Sequence, residues 1–254
     1  MPRFALGTWF MEKEETTKAV QQALNMGYQR LDIDADFPNL PEIGEALVNF
    51  HKTPFLSVKL PSNIAQTSKF EQRIKQILAD LACDHIDMLI MRKADSWQDT
   101  LAVWHSMRKL LQSNRVSALG VADFGKEELQ RLIGDSLTVP ELNQVVVRIG
   151  QTPTELLEYD RANDIATEAY SVVPHGLALR APIVAQIAAK YDVSITQLCL
   201  RYDWQLGLAI WRKAVSPAHM KENIDIDFKI SEPDMKNLSN LKIRVKRRRS
   251  NEIL

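Results

Sequence analysis

The chain has 254 residues, of which 45% are hydrophobic and 25% charged, the composition of an ordinary soluble protein. Basic and acidic residues number 32 each, so no global field draws the chain to nucleic acid or to a membrane surface. No apolar run reaches membrane-spanning length, and MPRFALGTWFMEKEE lacks the hydrophobic core of a signal peptide. Cys83 and Cys199 have neither CxxC nor histidine spacing, so no disulfide or metal site is predicted. We expect a cytoplasmic monomer without a membrane or nucleic-acid partner.

Extended segments and helical patterns alternate along the whole chain. The predicted strands are Phe4–Trp9, Gln29–Ile33, Phe55–Leu60, His85–Met91, Val116–Ala122, Glu141–Val147, Ile165–Ser171 and Leu208–Ala214. Between them lie amphipathic patterns such as SKFEQRIKQILADLACD, with apolar residues at three- and four-residue steps. Repeated strand–helix units over this length predict an α/β fold, a (β/α)8 TIM barrel, as a single domain over residues 1–254. A doubly wound sheet is the alternative, but no GxGxxG turn follows a strand.

Polar residues stand at the carboxyl ends of most predicted strands, which is where barrels carry their chemistry. They are Asp32, Lys59, Arg92, Asp123, Gln144, Tyr170 and Lys213. For any single position, the favoured interpretation is that polar residues simply begin where a strand ends. Lys59 lies between apolar neighbours in SVKLP and needs a carboxylate, for which Asp32 is the predicted partner. Lys59 and Arg92 together would neutralise the three aspartates of LDIDAD.

Several motifs follow one another in a characteristic order. Gly7–Thr8–Trp9 opens the series, and the segment from Gly27 to Gly44 follows. The later motifs are HIDMLIM, ALGVADF, LNQVV, EAYSVVPHG, ITQLCLRYDWQLG and KAVSPAHMKENI. In this order they resemble the aldo-keto reductase family, in particular its compact bacterial members, from Leu6 to about Leu241. Residues 242–254 are left as a basic carboxyl-terminal tail.

The resemblance implies reduction of aldehydes or ketones by hydride from NADP(H) or NAD(H), with an aspartate, a proton-donating tyrosine, a lysine and a histidine. Asp32 and Lys59 match the aspartate and the lysine, whereas Phe37 stands at the tyrosine position and Arg92 at the histidine position. Phenylalanine has no proton to give, and arginine is always protonated. We therefore expect carbonyl reduction to be weak, altered or absent. The resemblance also assigns Trp9 to the substrate pocket.

The cofactor positions implied by the resemblance are also altered. They correspond to Asp123, Gln144, Tyr170, Ser171, Lys213, His219, Glu222 and Asn223. Gln144 and Tyr170 match the residues that hold the carboxamide and stack on the nicotinamide, but the family's serine–asparagine pair is Ala122–Asp123. Lys213 is the one firm charge left for the adenosine 2′-phosphate, since histidine is only partly charged at neutral pH. We expect weakened or lost dinucleotide affinity.

Two functions stay open from the sequence. The chain is an oxidoreductase with Lys59 as proton donor or Arg92 polarising an oxyanion, on a small carbonyl or anionic substrate. Alternatively, it is a catalytically silent barrel that binds a metabolite or a protein. The basic tail is interpreted as solvated, because no aromatic residue interleaves its charges. Four tryptophans are interpreted as packing residues: Trp97, Trp104, Trp204 and Trp211.

Overall fold

The computed structural model describes residues 1–51, 53–61, 63–64, 70–173 and 181–241. Eight parallel strands close into a barrel in sequence order. They are β1 (Phe4–Gly7), β2 (Arg30–Asp34), β3 (Phe55–Lys59), β4 (Ile86–Arg92), β5 (Val116–Ala122), β6 (Leu142–Val146), β7 (Ala166–Tyr170) and β8 (Ala209–Arg212). The predicted (β/α)8 barrel is confirmed, and each predicted strand is present with its ends shifted by no more than two residues.

Helices follow every strand on the outside of the barrel. Their bounds are α1 (Lys13–Asn25), α2 (Leu40–Val48), α3 (Phe70–Asp80), α4 (Trp97–Gln112), α5 (Lys126–Ser136), α6 (Thr154–Ala162), α7 (Pro182–Lys190), α8 (Ile195–Gln205), α9 (Pro217–Ile224) and α10 (Glu232–Ser239). Within the described ranges no helix is long and apolar enough to cross a membrane. The basic tail, residues 242–254, lies outside the described residues.

Strand β2 shows how the sequence divides the barrel into an apolar wall and a polar interior. Leu31 and Ile33 are fully buried in the hydrophobic cluster that joins the strands to the surrounding helices. Because side chains alternate along a strand, Arg30, Asp32 and Asp34 point the other way, into the barrel, where they are also buried. The hydrophobic core therefore lies between strands and helices, while this part of the interior is polar.

The strand register brings the carboxyl-terminal positions to one mouth. Asp34 of β2 lies opposite Lys59 of β3, and Arg92 of β4 lies opposite Ala122 of β5. Ala122 in turn lies opposite Gln144 of β6. Since neighbouring parallel strands end at the same edge, these side chains share one end of the barrel.

Candidate active site

A chain of polar side chains crosses the barrel interior. Nε2 of Gln144 donates to Oδ2 of Asp32 at 2.8 Å and to Oε2 of Glu168 at 3.1 Å. Glu168 also pairs with Arg30, whose Nη2 lies 2.8 Å from Oε2, and Nε of Arg30 donates to Ser57 at 2.9 Å. The strands β2, β6 and β7 are not all neighbours in the sheet, so these bonds pass through the interior. Asp32 therefore has its orientation set by residues deep inside the barrel.

Asp32 is nearly fully buried, and this burial dominates its ionisation. Burial raises the pKa of the Asp32 carboxyl to about 6, although the charge of Lys59 opposes the rise. The charge of Glu168 raises that pKa further, while Arg30 and the hydrogen bond from Gln144 lower it. A carboxyl group with this pKa holds a proton in part of the population just below neutral pH.

Lys59 pairs with a different aspartate from the one predicted. Its Nζ lies 3.9 Å from Oδ2 of Asp34, whereas Asp32 receives the Gln144 amide and interacts with Lys59 through its charge. The physical reason is the register, which sets Asp34 directly opposite Lys59 on the adjacent strand. The expected contact between Lys59 and Asp32 is therefore corrected to one between Lys59 and Asp34.

Arg92 is held by Asp34, the last residue of β2, and by Asp36 in the loop that follows. Its guanidinium contacts Oδ2 of Asp34, lies 3.4 Å from Oδ2 of Asp36, and donates to the carbonyl oxygen of Leu60 at 3.2 Å. The predicted neutralisation of this acidic stretch by Lys59 and Arg92 is present for Asp34 and, through Arg92, for Asp36, whereas Asp32 receives the Gln144 amide. The positive charge of Arg92 is thus compensated within the protein, which reduces its pull on an anion at the mouth.

A tight turn after β2 positions Phe37. The Asp34 carboxylate accepts the backbone N–H of Asp36 at 3.1 Å, and the N–H of Phe37 donates to the Asp34 carbonyl at 3.1 Å. The half-buried Phe37 ring lies 5.0 Å from that of Phe10 in an edge-on arrangement, and Phe10 lies 4.3 Å from Trp9. We call Trp9, Phe10 and Phe37 the aromatic rim. Trp9 and Phe10 are 43% and 52% exposed, so the rim presents apolar surface at the mouth.

The phenol side chain of Tyr170 lies at the same mouth, and its hydroxyl group is hydrogen-bonded. It donates to Oδ1 of Asp123 at 2.6 Å. Burial, followed by the hydrogen bond to Asp123 and the charge of that carboxylate, raises the pKa of Tyr170 well above its usual range. Its ring is stacked against Trp211, with centroids 6.2 Å apart and planes 8° from parallel. Tyr170 is consequently a poor proton donor in this arrangement.

A cavity of about 640 Å³ opens beside this group of residues. It lies between the residues after β1, the end of β7 and the segment from β8 into α9. Four predicted site residues line it: Trp9, Ser171, Lys213 and His219. The Lys213 ammonium also contacts the carbonyl oxygen of Phe10. The remaining predicted residues of the mouth are not among the described residues lining this cavity.

Comparison with known proteins identifies the family. The sequence model of the Aldo/keto reductase family matches residues 3–243. The chain belongs to this family. It is 29% identical to the glyoxal reductase of Bacillus subtilis over 242 residues, which cover 92% of this chain and 87% of that protein. It is 26% identical to the methylglyoxal reductase DkgA of Escherichia coli K12 over 248 residues, 95% of this chain and 90% of that protein.

Solved structures of aldo-keto reductases share the fold. The crystal structure of an aldo/keto reductase from Brucella melitensis has a TM-score of 0.88 and 29% sequence identity, covering 94% of each chain. A mutant of the protein Gox0644 in complex with NADPH has a TM-score of 0.89 and 25% identity, covering 94% of this chain and 89% of that one.

Two further predicted cofactor positions of this aldo-keto reductase, Glu222 and Asn223 of α9, are also not among the described residues lining the cavity. Oε1 of Glu222 accepts a hydrogen bond from Ser194 at 2.6 Å, so this side chain faces helix α8. Asn223 is almost fully buried. Glu222 thus ties α9 to the start of α8, while Nδ2 of Asn223 is buried without a hydrogen-bond partner among the described residues.

Sequence reasoning missed the role of Glu168 in this aldo-keto reductase. A signal for Glu168 was present, since an acidic residue in the strand sequence ATEAY needs a partner, but that partner lies on a distant strand. Trp211 was predicted to be a packing residue, and it packs against Tyr170. Its position at the mouth, where it also lines the cavity, was not predicted.

Proposed function

We propose that this aldo-keto reductase binds an NADP(H)-type nucleotide in its cavity and reduces aldehydes and ketones weakly or not at all. The observation that carries the proposal is Phe37, which packs against Phe10 at the position where the family resemblance puts the proton donor. A missing general acid typically costs about 10²- to 10⁴-fold in rate.

The other groups at the mouth compensate poorly for the missing proton donor. The Tyr170 hydroxyl is bound to Asp123, and its pKa is raised. Lys59 and Arg92 both face Asp34, so their charges are already paired. These contacts support weak or altered chemistry over ordinary carbonyl reduction.

The residues fit one half of the nucleotide better than the other. Lys213 and His219 line a cavity whose volume lies in the usual range for small-molecule sites, which supports binding of the adenosine phosphates. The nicotinamide half fits poorly. Tyr170 is stacked against Trp211, so a nicotinamide ring has no room between the two rings. Nε2 of Gln144 is already used by Asp32 and Glu168, which leaves only its Oε1 for a carboxamide.

The test measures NADPH oxidation by the purified chain with methylglyoxal and with 4-nitrobenzaldehyde. We expect turnover below about 1 s⁻¹, the lower end of the typical range. Turnover well above that value in the unmodified chain would refute the proposal. Nucleotide binding is measured separately by thermal shift, because under this proposal a chain without turnover still binds the nucleotide.

A restored proton donor provides the complementary test. Phe37→Tyr with Arg92→His is introduced into a chain in which Trp211→Leu uncovers the Tyr170 ring. We expect a gain of about 100-fold or more if the rest of the site is intact. The matched control replaces Phe37→Tyr by Phe37→Leu in the same background, and it should gain nothing because leucine has no hydroxyl.

The aromatic rim favours a second candidate, a silent barrel that binds an apolar metabolite. Trp9 and Phe10 expose their rings at the mouth, and Phe37 extends the same surface. Under this function, aromatic aldehydes or alcohols raise the melting temperature without NADPH and are not turned over. A Phe10→Ala variant should lose that shift, whereas a Val48→Ala variant, at an exposed position on α2, should keep it.

A further inference from the structure

Trp211 occupies a central place at the barrel mouth. Its indole is stacked on Tyr170 and is only 9% exposed. On the β1 side it lies directly on Gly7, where an added Cβ would come within 2.2 Å of Cε3 of the indole. Nζ of Lys59 lies 5.8 Å from the Trp211 ring centroid and 6.0 Å from that of Tyr170. The indole thus fills the space between β1, Tyr170 and Lys59.

The cavity ends at this indole. Trp211 lines it together with Trp9 and Phe10 on one side and Lys213 and His219 on the other. Among the described lining residues, neither Lys59 nor Tyr170 is present. A ligand in the cavity therefore meets Lys213 and His219, and Trp211 separates it from Lys59.

No third ring fits between Tyr170 and Trp211. Atoms in contact prefer a separation of about 3.5–4.0 Å, so a ring inserted between two others needs about 7–8 Å between their planes. The ring centroids of Tyr170 and Trp211 are 6.2 Å apart and the ring planes are nearly parallel. The spacing between the two planes is therefore at most 6.2 Å, which is less than an inserted ring needs.

We propose that Trp211 takes the ring-stacking place on Tyr170, so that the cavity binds the adenosine-phosphate half of NADP(H) and the nicotinamide half adds little affinity. This inference rests on the proposed nucleotide-binding function. It specifies the ligand class of that site as an adenosine phosphate that carries a 2′-phosphate, held by Lys213 and His219.

The test compares two ligands by isothermal titration calorimetry on the full chain. Adenosine 2′,5′-bisphosphate carries the phosphates without the nicotinamide, and NADPH carries both. We expect similar dissociation constants in the unmodified chain. In Trp211→Leu, NADPH should gain about tenfold in affinity relative to the bisphosphate, because one stacking contact of the nicotinamide is regained. Trp211→Phe is the matched control, since it keeps a ring on Tyr170 and should behave as the unmodified chain.

The outcomes separate this inference from the function on which it rests. If the unmodified chain binds NADPH at least about tenfold more tightly than the bisphosphate, the nicotinamide contributes and the inference is overturned alone. A folded Trp211→Leu chain with no gain for NADPH also overturns it. If neither ligand binds at millimolar concentration, both this inference and the proposed function fail. If Trp211→Leu does not fold, the comparison in the unmodified chain decides.

Discussion

Arg30 and Glu168 form an ion pair inside the barrel, with Nη2 2.8 Å from Oε2 and both side chains fully buried. The same carboxylate accepts the Gln144 amide, which donates to Asp32. The pair therefore fixes the amide that orients Asp32. Removing one partner of a buried ion pair leaves an uncompensated buried charge, and this lowers the free energy of unfolding more than removing both partners does.

We expect Glu168→Ala to lower the free energy of unfolding by about 3–5 kcal/mol, because Arg30 then lies buried without its counter-ion. The measurement is urea unfolding with the slope of the transition checked for constancy. The matched control is the double variant Arg30→Met with Glu168→Leu, which removes both charges and should lose clearly less. Equal losses in the two variants would show that the charge pairing is not the cause.

The sequence predicts the barrel well because the barrel depends on periodicity. Strand β5 is an almost continuous buried apolar segment, VSALGVA, and it was predicted with its observed ends. Helical segments repeat apolar residues every three or four positions, which distinguishes them from strands. These signals are local, so they survive without knowledge of the closed sheet.

Contacts across the barrel could not be predicted in the same way. Lys59 meets Asp34 because of the stagger between β2 and β3, and a shift of two residues would have given Asp32. Gln144 reaches Asp32 only because the sheet closes and brings β6 opposite β2. Stagger and closure belong to the whole sheet, so residue types and spacing leave them undetermined.

Asp203 in α8 is fully buried, and both of its carboxylate oxygens lack a hydrogen-bond partner within the described part of the chain. Burial raises the pKa of Asp203 well above its usual value. The folded protein then holds a proton that the unfolded chain releases above pH 4, so the free energy of unfolding falls as pH rises from about 4 toward the folded pKa.

We expect Asp203→Leu to stabilise the protein, and the gain over the unmodified chain should grow as pH rises above about 4. Thermal or urea unfolding at several pH values measures this difference. Asp95→Asn, at an exposed loop position, is the control and should show no such trend. A gain that does not vary with pH would indicate that packing, rather than ionisation, is responsible.

Asp123 holds the Tyr170 hydroxyl at 2.6 Å, and it adds to the effect of burial on that phenol. In Asp123→Ala we expect the pKa of Tyr170 to fall while staying above its usual value, because the burial remains. An ultraviolet titration of tyrosinate, with Tyr170→Phe to assign the signal, measures the change. An unaltered titration in Asp123→Ala would mean that burial alone sets the pKa.

Gly7 and Trp211 provide a steric test of the mouth. An added Cβ at Gly7 would lie 2.2 Å from Cε3 of the indole, so Gly7→Ala must displace Trp211 and should cost about 1–3 kcal/mol of unfolding free energy. At Gly134 in α5 an added Cβ has no described atom within 4 Å outside its chain neighbours and its own helix backbone, so Gly134→Ala should stabilise by about 0.5–1 kcal/mol.

A second substitution, at Trp211, tests whether the clash with the indole causes the loss of stability in Gly7→Ala. In a Trp211→Leu background the smaller side chain relieves the clash, and Gly7→Ala should then cost much less than in the unmodified chain. A double-mutant cycle measured by urea unfolding gives this coupling. If the two losses simply add, the indole does not lie on Gly7 in solution. The separation of the cavity from Lys59 by Trp211 would then lose its structural basis.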